Sequence, residues 1–206
     1  MKPTRSLLFV PGHRKGWAEK AVAAGADAII LDLEDSVPQD LKAETRHMVA
    51  ETIRSLAKAH PHVSIYVRLN ALESGMMGDD LELVAIEGCD GFLPPKTYGA
   101  RDVICADALV THYERRNGVP SGTLEFILSL ETAQAYADCE NMLAASPRWP
   151  RCAVFRSFMA VVTLKARRRC ASRRSRGSSS SDSSKRFWQS APLPPCRRRL
   201  ILAIRA

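Results

Sequence analysis

These 206 residues lack any paired-cysteine pattern. The six cysteines, at 89, 105, 139, 152, 170 and 196, are scattered without a C-x-x-C step. That argues against a zinc module or a disulfide framework and fits a reducing, cytoplasmic setting. Long apolar runs are missing too. No stretch approaches the roughly 20 residues needed to cross a bilayer, and "SLLFV" (6–10) is too short for a signal segment and breaks at Pro11-Gly12. The reading is a soluble protein. A third absence is local: no Asp or Glu occurs from Arg151 to Ser181.

That gap divides the chain in two. Residues 1–150 hold 15 Lys/Arg against 21 Asp/Glu, a balance of −6, whereas residues 151–206 hold 15 Lys/Arg and the single acid Asp182, a balance of +14. The overall charge of +8 therefore describes neither part. The expected organisation is a folded portion over 1–150 and an Arg/Ser/Pro-rich tail over 151–206. The tail has neither helical nor strand periodicity, and its composition buries too little apolar surface to offset chain entropy. Within it, "CAVFRSFMAVVTL" (152–164) is apolar enough for a sixth strand or a helix.

The first portion alternates two kinds of segment. Strands are expected at 6–10, 28–33, 63–70, 91–96 and 124–131. Helices are expected over 14–24 (Trp17, Ala21 and Ala24 on one face), about 39–59 (Val49, Ile53, Leu56), near 79–87, over 100–116 (Val103, Ala106, Val110, Tyr113) and from Thr132, a candidate N-cap, through "TAQAYADCENMLAA". Five consecutive βα units with doubly covered strands imply a parallel sheet. In such a sheet, function gathers at the carboxyl ends of the strands. Those ends carry Pro11-Gly12, then Asp32, Glu34 and Asp35, then Arg68 and Asn70, then Lys96, then Glu131. Any one of them can be a structural ion pair; together they outline a site for a metal and an anion.

The segments "RSLLFVPG", "GADAIILDLEDSV", "VRLN", "LPPK" and "SLETA", in this order, resemble the citrate lyase beta-like branch of the HpcH/HpaI aldolase/citrate lyase family over residues 4–148. The resemblance implies a (β/α)₈ TIM barrel, here incomplete at about five βα units. It implies a magnesium-dependent enzyme that breaks or forms a carbon–carbon bond in 3-hydroxy-acyl-CoA thioesters of the citryl-, citramalyl- or malyl-CoA type, and a homo-oligomer. Its partners would be the acyl-CoA or a 2-oxo acid, with no membrane.

Residue by residue, Arg68 is similar to the arginine that holds the substrate carboxylate, for which a planar fork donor is well suited. Glu131 matches a magnesium-ligand glutamate. Phe9 lies where relatives have a group lining the site. Lys20 reads either as a lysine facing CoA or as a solvated helix charge. Asp32, Glu34 and Asp35 match the "LEDS" signature and support the rim. No catalytic acid or base is assigned.

The departure follows the fifth unit. There relatives carry a glycine-rich strand with an aspartate, the second magnesium ligand, whereas this chain reads "RWPRCAVFRSFMAVV". Strands seven and eight are missing as well, and the terminal "RRRLILAIRA" resembles a later family helix. A reading-frame disruption in a GC-rich gene fits this pattern, and it predicts an impaired lyase whose first and fifth strands are open edges. Two other readings are a non-catalytic fragment or subunit, and a nucleic-acid-binding protein using the Arg runs with Phe187 and Trp188.

Overall fold

The computed structural model describes Thr4, residues 6–148 and the strand Leu202–Ile204. Its elements, in chain order, are β1 (Ser6–Pro11), α1 (Trp17–Ala23), β2 (Ala28–Asp32), α2 (Lys42–Ala59), β3 (Ser64–Arg68), α3 (Met77–Val84), β4 (Gly91–Leu93), α4 (Ala100–Arg116), β5 (Glu125–Phe126), α5 (Ala133–Ala137), α6 (Cys139–Ala144) and β6 (Leu202–Ile204). The strands form one sheet in the order β5-β4-β3-β2-β1-β6, and every pairing is parallel. Consecutive β/α units in sequential order make an arc of a (β/α) barrel.

β2, β3 and β4 are buried at every position, so both faces of these strands are covered and their residues divide by parity. Ile29, Leu31, Ile65, Val67, Phe92 and Phe126 join one core cluster with Val49, Ile53, Leu81, Ala106 and Val110 of the helices. Leu7, Ala28, Ile30, Tyr66, Leu93 and Ile127 form a second cluster on the opposite face, with Phe9 packed against it. The second parity class continues directly into the polar residues at the carboxyl ends. Pro11, Asp32, Arg68 and Leu93 are partners in register across four strands. A strand that starts as buried aliphatics and ends in carboxylates is thus one face of the sheet followed to its rim. Gly12 fits there because its N–H donates to the Asp32 carbonyl at 2.9 Å, and a Cβ would lie 2.7 Å from that oxygen.

Several boundaries differ from the periodicity. Of the face read as Trp17, Ala21 and Ala24, only Ala21 is buried, together with Ala18, while Trp17 is exposed. Ala24 is also exposed, as the C-cap. The expected fifth strand narrows to two residues, although Ile127 N–H still donates to the Phe92 carbonyl at 2.8 Å. The expected fifth helix breaks at Asp138 into α5 and α6, with Thr132 Oγ1 accepting from Ala135 N–H at 3.0 Å as its N-cap. The terminal segment, likened above to a helix, contributes β6, which pairs with β1 at Ser6, Leu7 and Leu8. The edge of β1 that sequence left open is therefore covered, on the side where a closed barrel places its last strand. The proposed sixth element at 152–164 lies outside the described residues.

On the far edge, Phe126 N–H donates to the Arg148 carbonyl at 2.8 Å, so the chain returns beside β5 at Arg148. Its guanidinium is buried and anchored to α4, with Nη1 2.8 Å from Glu114 Oε1, Nη2 2.8 Å from Glu114 Oε2 and Nε 2.5 Å from Asp107 Oδ1. Glu114 also accepts from the Gly122 and Leu124 N–H groups at 2.8 and 3.0 Å. Burial alone would raise the Glu114 pKa, but Arg148 and these backbone donors hold it below the ordinary range. A buried pair cut in half leaves an uncompensated charge. Arg148→Ala is expected to lower unfolding stability by about 3–5 kcal/mol. Breaking the exposed Arg116–Glu82 pair with Glu82→Ala should cost less than about 1 kcal/mol. Urea melts of both variants check the contrast, which equal costs would remove.

Candidate active site at the carboxyl ends of the strands

The site is built around one guanidinium. Arg68 ends β3 beside Asp32, which ends β2, and their partnership in register brings the two side chains together. Arg68 Nε donates to Asp32 Oδ1 at 2.6 Å and Nη2 to Oδ2 at 2.5 Å, a two-point fork on a buried carboxylate. The same carboxylate accepts from Glu34 N–H at 2.9 Å and Ser36 N–H at 3.2 Å, which folds "LEDS" into a turn over it. Burial pushes the Asp32 pKa up, but the hydrogen bonds and charge of Arg68 outweigh it and hold the carboxyl below the ordinary carboxylate range. The Phe9 ring lies with its centroid 5.3 Å from the Arg68 guanidinium carbon, a cation–π contact from β1.

Three further charges complete the rim. Glu34 is buried, with Oε2 3.1 Å from Arg68 Nη1 and Oε1 2.9 Å from Lys96 Nζ. Both contacts are close, but neither is well aligned as a hydrogen bond. Burial raises the Glu34 pKa, opposed by Lys96 and Arg68 and reinforced by Asp35. Asp35 is more open and reaches Lys96 Nζ at 3.3 Å. Lys96 adopts φ 51° at the end of "LPPK", a left-handed backbone that a lysine rarely takes. Its partners Glu34 and Asp35 hold the ammonium pKa above its ordinary value.

The loops carrying these groups are pinned by Lys42, Asp80 and Arg46, which sequence reasoning missed, acting through Asn70, which it placed on the rim. Lys42 Nζ donates to the Leu33 and Glu34 carbonyls at 2.7 and 3.0 Å and to Asn70 Oδ1 at 2.7 Å. Asn70 in turn donates to the fully buried Asp80, which Arg46 Nε holds at 2.7 Å. This chain of contacts ties the ends of β2 and β3 to α2 and α3. Its sequence signal is the spacing Lys42, Arg46, Val49, Ile53, Leu56: two cations standing on the buried stripe of α2.

The remaining expected residues are spread more widely. Glu131 follows β5 at the same end of the sheet, half-buried, with Oε1 accepting from Ser129 Oγ at 2.8 Å. Lys20 is exposed on α1. Among the described residues, no cluster of three or more His, Cys, Asp or Glu side chains could hold a metal ion. Glu131 would offer a cation one carboxylate, and positions 151–181 contain no Asp or Glu.

A parallel β/α arc with a charged rim at its strand ends defines an α/β-barrel protein. Residues 5–165 match the model of the HpcH/HpaI aldolase/citrate lyase family, and the chain belongs to that family. The match continues past residue 148, where the motif resemblance stopped. An L-malyl-CoA/beta-methylmalyl-CoA lyase of Cereibacter sphaeroides is 39% identical over 150 residues, covering 71% of this chain and 46% of that protein. The chain thus spans about half the length of the curated relatives it matches.

Among solved structures, a citrate lyase from Burkholderia xenovorans shares the fold with a TM-score of 0.65 at 18% identity, over 80% of this chain and 52% of that one. Protein CitE from Mycobacterium tuberculosis, in complex with magnesium and acetate, is 29% identical with a TM-score of 0.52, over 70% and 51%. No helix among the described residues is long and apolar enough to cross a membrane.

The Asp32–Arg68 pair sets a pH dependence. A depressed carboxylate contributes stability that is full above its unfolded pKa and is lost as pH falls through its folded value. Asp32→Asn removes that contribution and strands the Arg68 charge. It is expected to cost about 3–5 kcal/mol at neutral pH and to flatten the acid limb of the stability profile. Urea melts at pH 7 and pH 3 check this; an unchanged profile would show that the pair carries no net energy.

Proposed function

We propose that this chain carries the first five β/α units of a carbon–carbon lyase acting on 3-hydroxy-acyl-CoA thioesters, and that as written it has little or no activity. The observation that carries this reading is Arg68. A guanidinium clamped side-on by Asp32 keeps its remaining N–H groups in fixed positions at a strand end, which suits a planar carboxylate. The similarity to an L-malyl-CoA/beta-methylmalyl-CoA lyase supports the substrate class, and Phe9 gives the guanidinium an aromatic neighbour.

In the retro-aldol direction the 3-hydroxyl loses its proton and the C–C bond breaks. Its electron pair becomes the enolate of the departing thioester, which is then protonated at the α-carbon. Arg68 would hold the carboxylate of the fragment that becomes the 2-oxo acid, fixing which bond is aligned for cleavage. Lys96 and the "LEDS" carboxylates would set the charge around that fragment. Magnesium is the cofactor that accompanies this reading. Glu131 would offer it one carboxylate, and a cation held by one carboxylate and water is weakly bound.

The tail at 151–206 is proposed as the non-native replacement for the later barrel strands. The test has two arms. The purified chain, with magnesium, is expected to show no measurable cleavage of malyl-, citramalyl- or citryl-CoA; tight magnesium binding with cleavage of any of these would contradict the impairment. Restoring the reading frame after codon 148 should restore cleavage, and in that protein Arg68→Ala should lower kcat/KM by at least about 100-fold, the loss of a charged hydrogen-bonded contact. A repaired enzyme indifferent to Arg68→Ala would contradict the site.

A further inference from the structure

Arg68 has five N–H groups, and Asp32 takes two of them through Nε and Nη2. The others lie on Nη1 and Nη2, the end of the fork that a ligand carboxylate must use. That end is already occupied. Glu34 Oε2 stands 3.1 Å from Nη1, with Asp35 Oδ2 further out at 3.8 Å. We propose that Glu34 is a displaceable stand-in for the substrate carboxylate, and that a carboxylate ligand entering the Arg68 fork releases Glu34, which takes up a proton. The proposal rests on the reading of Arg68 given above.

The two acids that touch Arg68 are held very differently. Asp32 accepts four hydrogen bonds and is locked. Glu34 has no well-aligned hydrogen bond on either carboxylate oxygen and is held by close ion pairs to Arg68 and the half-exposed Lys96. An ion pair without well-aligned bonds gives way to a ligand that can make two of them.

Charge balance supplies the proton. Facing Glu34 are Arg68 from β3, Lys96 from the loop after β4 and Asp35 from its own loop, while Asp32 at the end of β2 shares Arg68 with it. Lys42 from α2 binds the Glu34 carbonyl, but it also feels Asp80 and reaches it through Asn70. Within the ion-paired group, three carboxylates already face two cations. A ligand carboxylate adds a further negative charge and withdraws Arg68 from Glu34. Burial already favours the neutral acid at Glu34, and both changes push the same way. One proton is then taken up per ligand bound, in the pH window between the Glu34 pKa in the free and in the occupied protein. Affinity falls as pH rises through that window, with a limit of about tenfold per pH unit.

Calorimetric titration of the full chain with pyruvate, in metal-free buffer with chelator from pH 5 to 9, tests this. The wild type should show a dissociation constant that rises with pH, and proton uptake read from buffers of different ionisation enthalpy. Glu34→Gln should bind several-fold more tightly at high pH, with a flat profile and no proton uptake. Lys96→Met, which removes a cation that favours ionised Glu34, should move the rising limb to higher pH and carries the test if Glu34→Gln does not fold. A flat wild-type profile, or a Glu34→Gln protein that keeps the slope, overturns the stand-in role. Arg68→Ala separates the two claims. Loss of pyruvate binding there with a flat wild type overturns the Glu34 proposal alone. Unchanged binding in Arg68→Ala, or no binding to the wild type, overturns the reading of Arg68 with it.

Discussion

The fork between Asp32 and Arg68 is the contact on which the rim of this protein depends. Both groups are buried, and either alone would be an uncompensated charge at the end of the sheet. Together they join two adjacent strands, and the spare capacity of Asp32 folds the next four residues into a turn through the Glu34 and Ser36 N–H groups. That turn sets Glu34 and Asp35 against Lys96. The Leu33 N–H to Arg68 carbonyl bond at 2.9 Å extends the pairing one residue past the strands. Position, charge and protonation at this end of the sheet follow from one two-point ion pair.

A second polar scaffold keeps that pair where it is. Lys42, Asn70, Asp80 and Arg46 form a continuous buried chain between the strand ends and the first turns of α2 and α3. Burial lowers the Lys42 pKa, an effect the nearby carboxylates, Asp80 foremost, oppose. A cation kept in such a place has its donors matched to carbonyl and amide oxygens. The Arg148–Glu114 clamp does the same beside β5, at one edge of the arc. The protein therefore fixes its strand ends and that edge with buried charge, and the body of the sheet with aliphatic packing.

Much of this could be read from sequence because the period-two and period-3.6 patterns are clean. α4 spans Ala100–Arg116, the range its apolar stripe defined, and "AIILD" is buried at every position. The charges at the strand ends were legible as a group, since parallel strands place their ends on one rim. Their roles were less so. Sequence gave Arg68 to a ligand, whereas the structure shows it already bound by Asp32 and faced by Glu34, a pairing set by strand register that no linear spacing encodes. Trp17 misled because a large aromatic on an amphipathic segment reads as core, while the helix actually buries the small Ala18 and Ala21. The strand at Leu202–Ile204 was unreadable for another reason: three apolar residues carry no period, and their state is decided by the free edge of β1.

Belonging to a lyase family while matching about half the length of its curated members puts the weight of the account on what the first five units hold by themselves. They hold the Asp32-clamped Arg68 guanidinium that is proposed above as a carboxylate receptor, with Glu131 following β5 at the same end of the sheet. The most direct measurement is pyruvate affinity of Arg68→Lys against wild type at a single pH. Lysine keeps the positive charge but loses the fork that engages Asp32 and a ligand at once. The account predicts a loss of at least about tenfold. Equal affinity would mean that charge alone attracts the ligand, and that the Asp32-held fork is not the receptor.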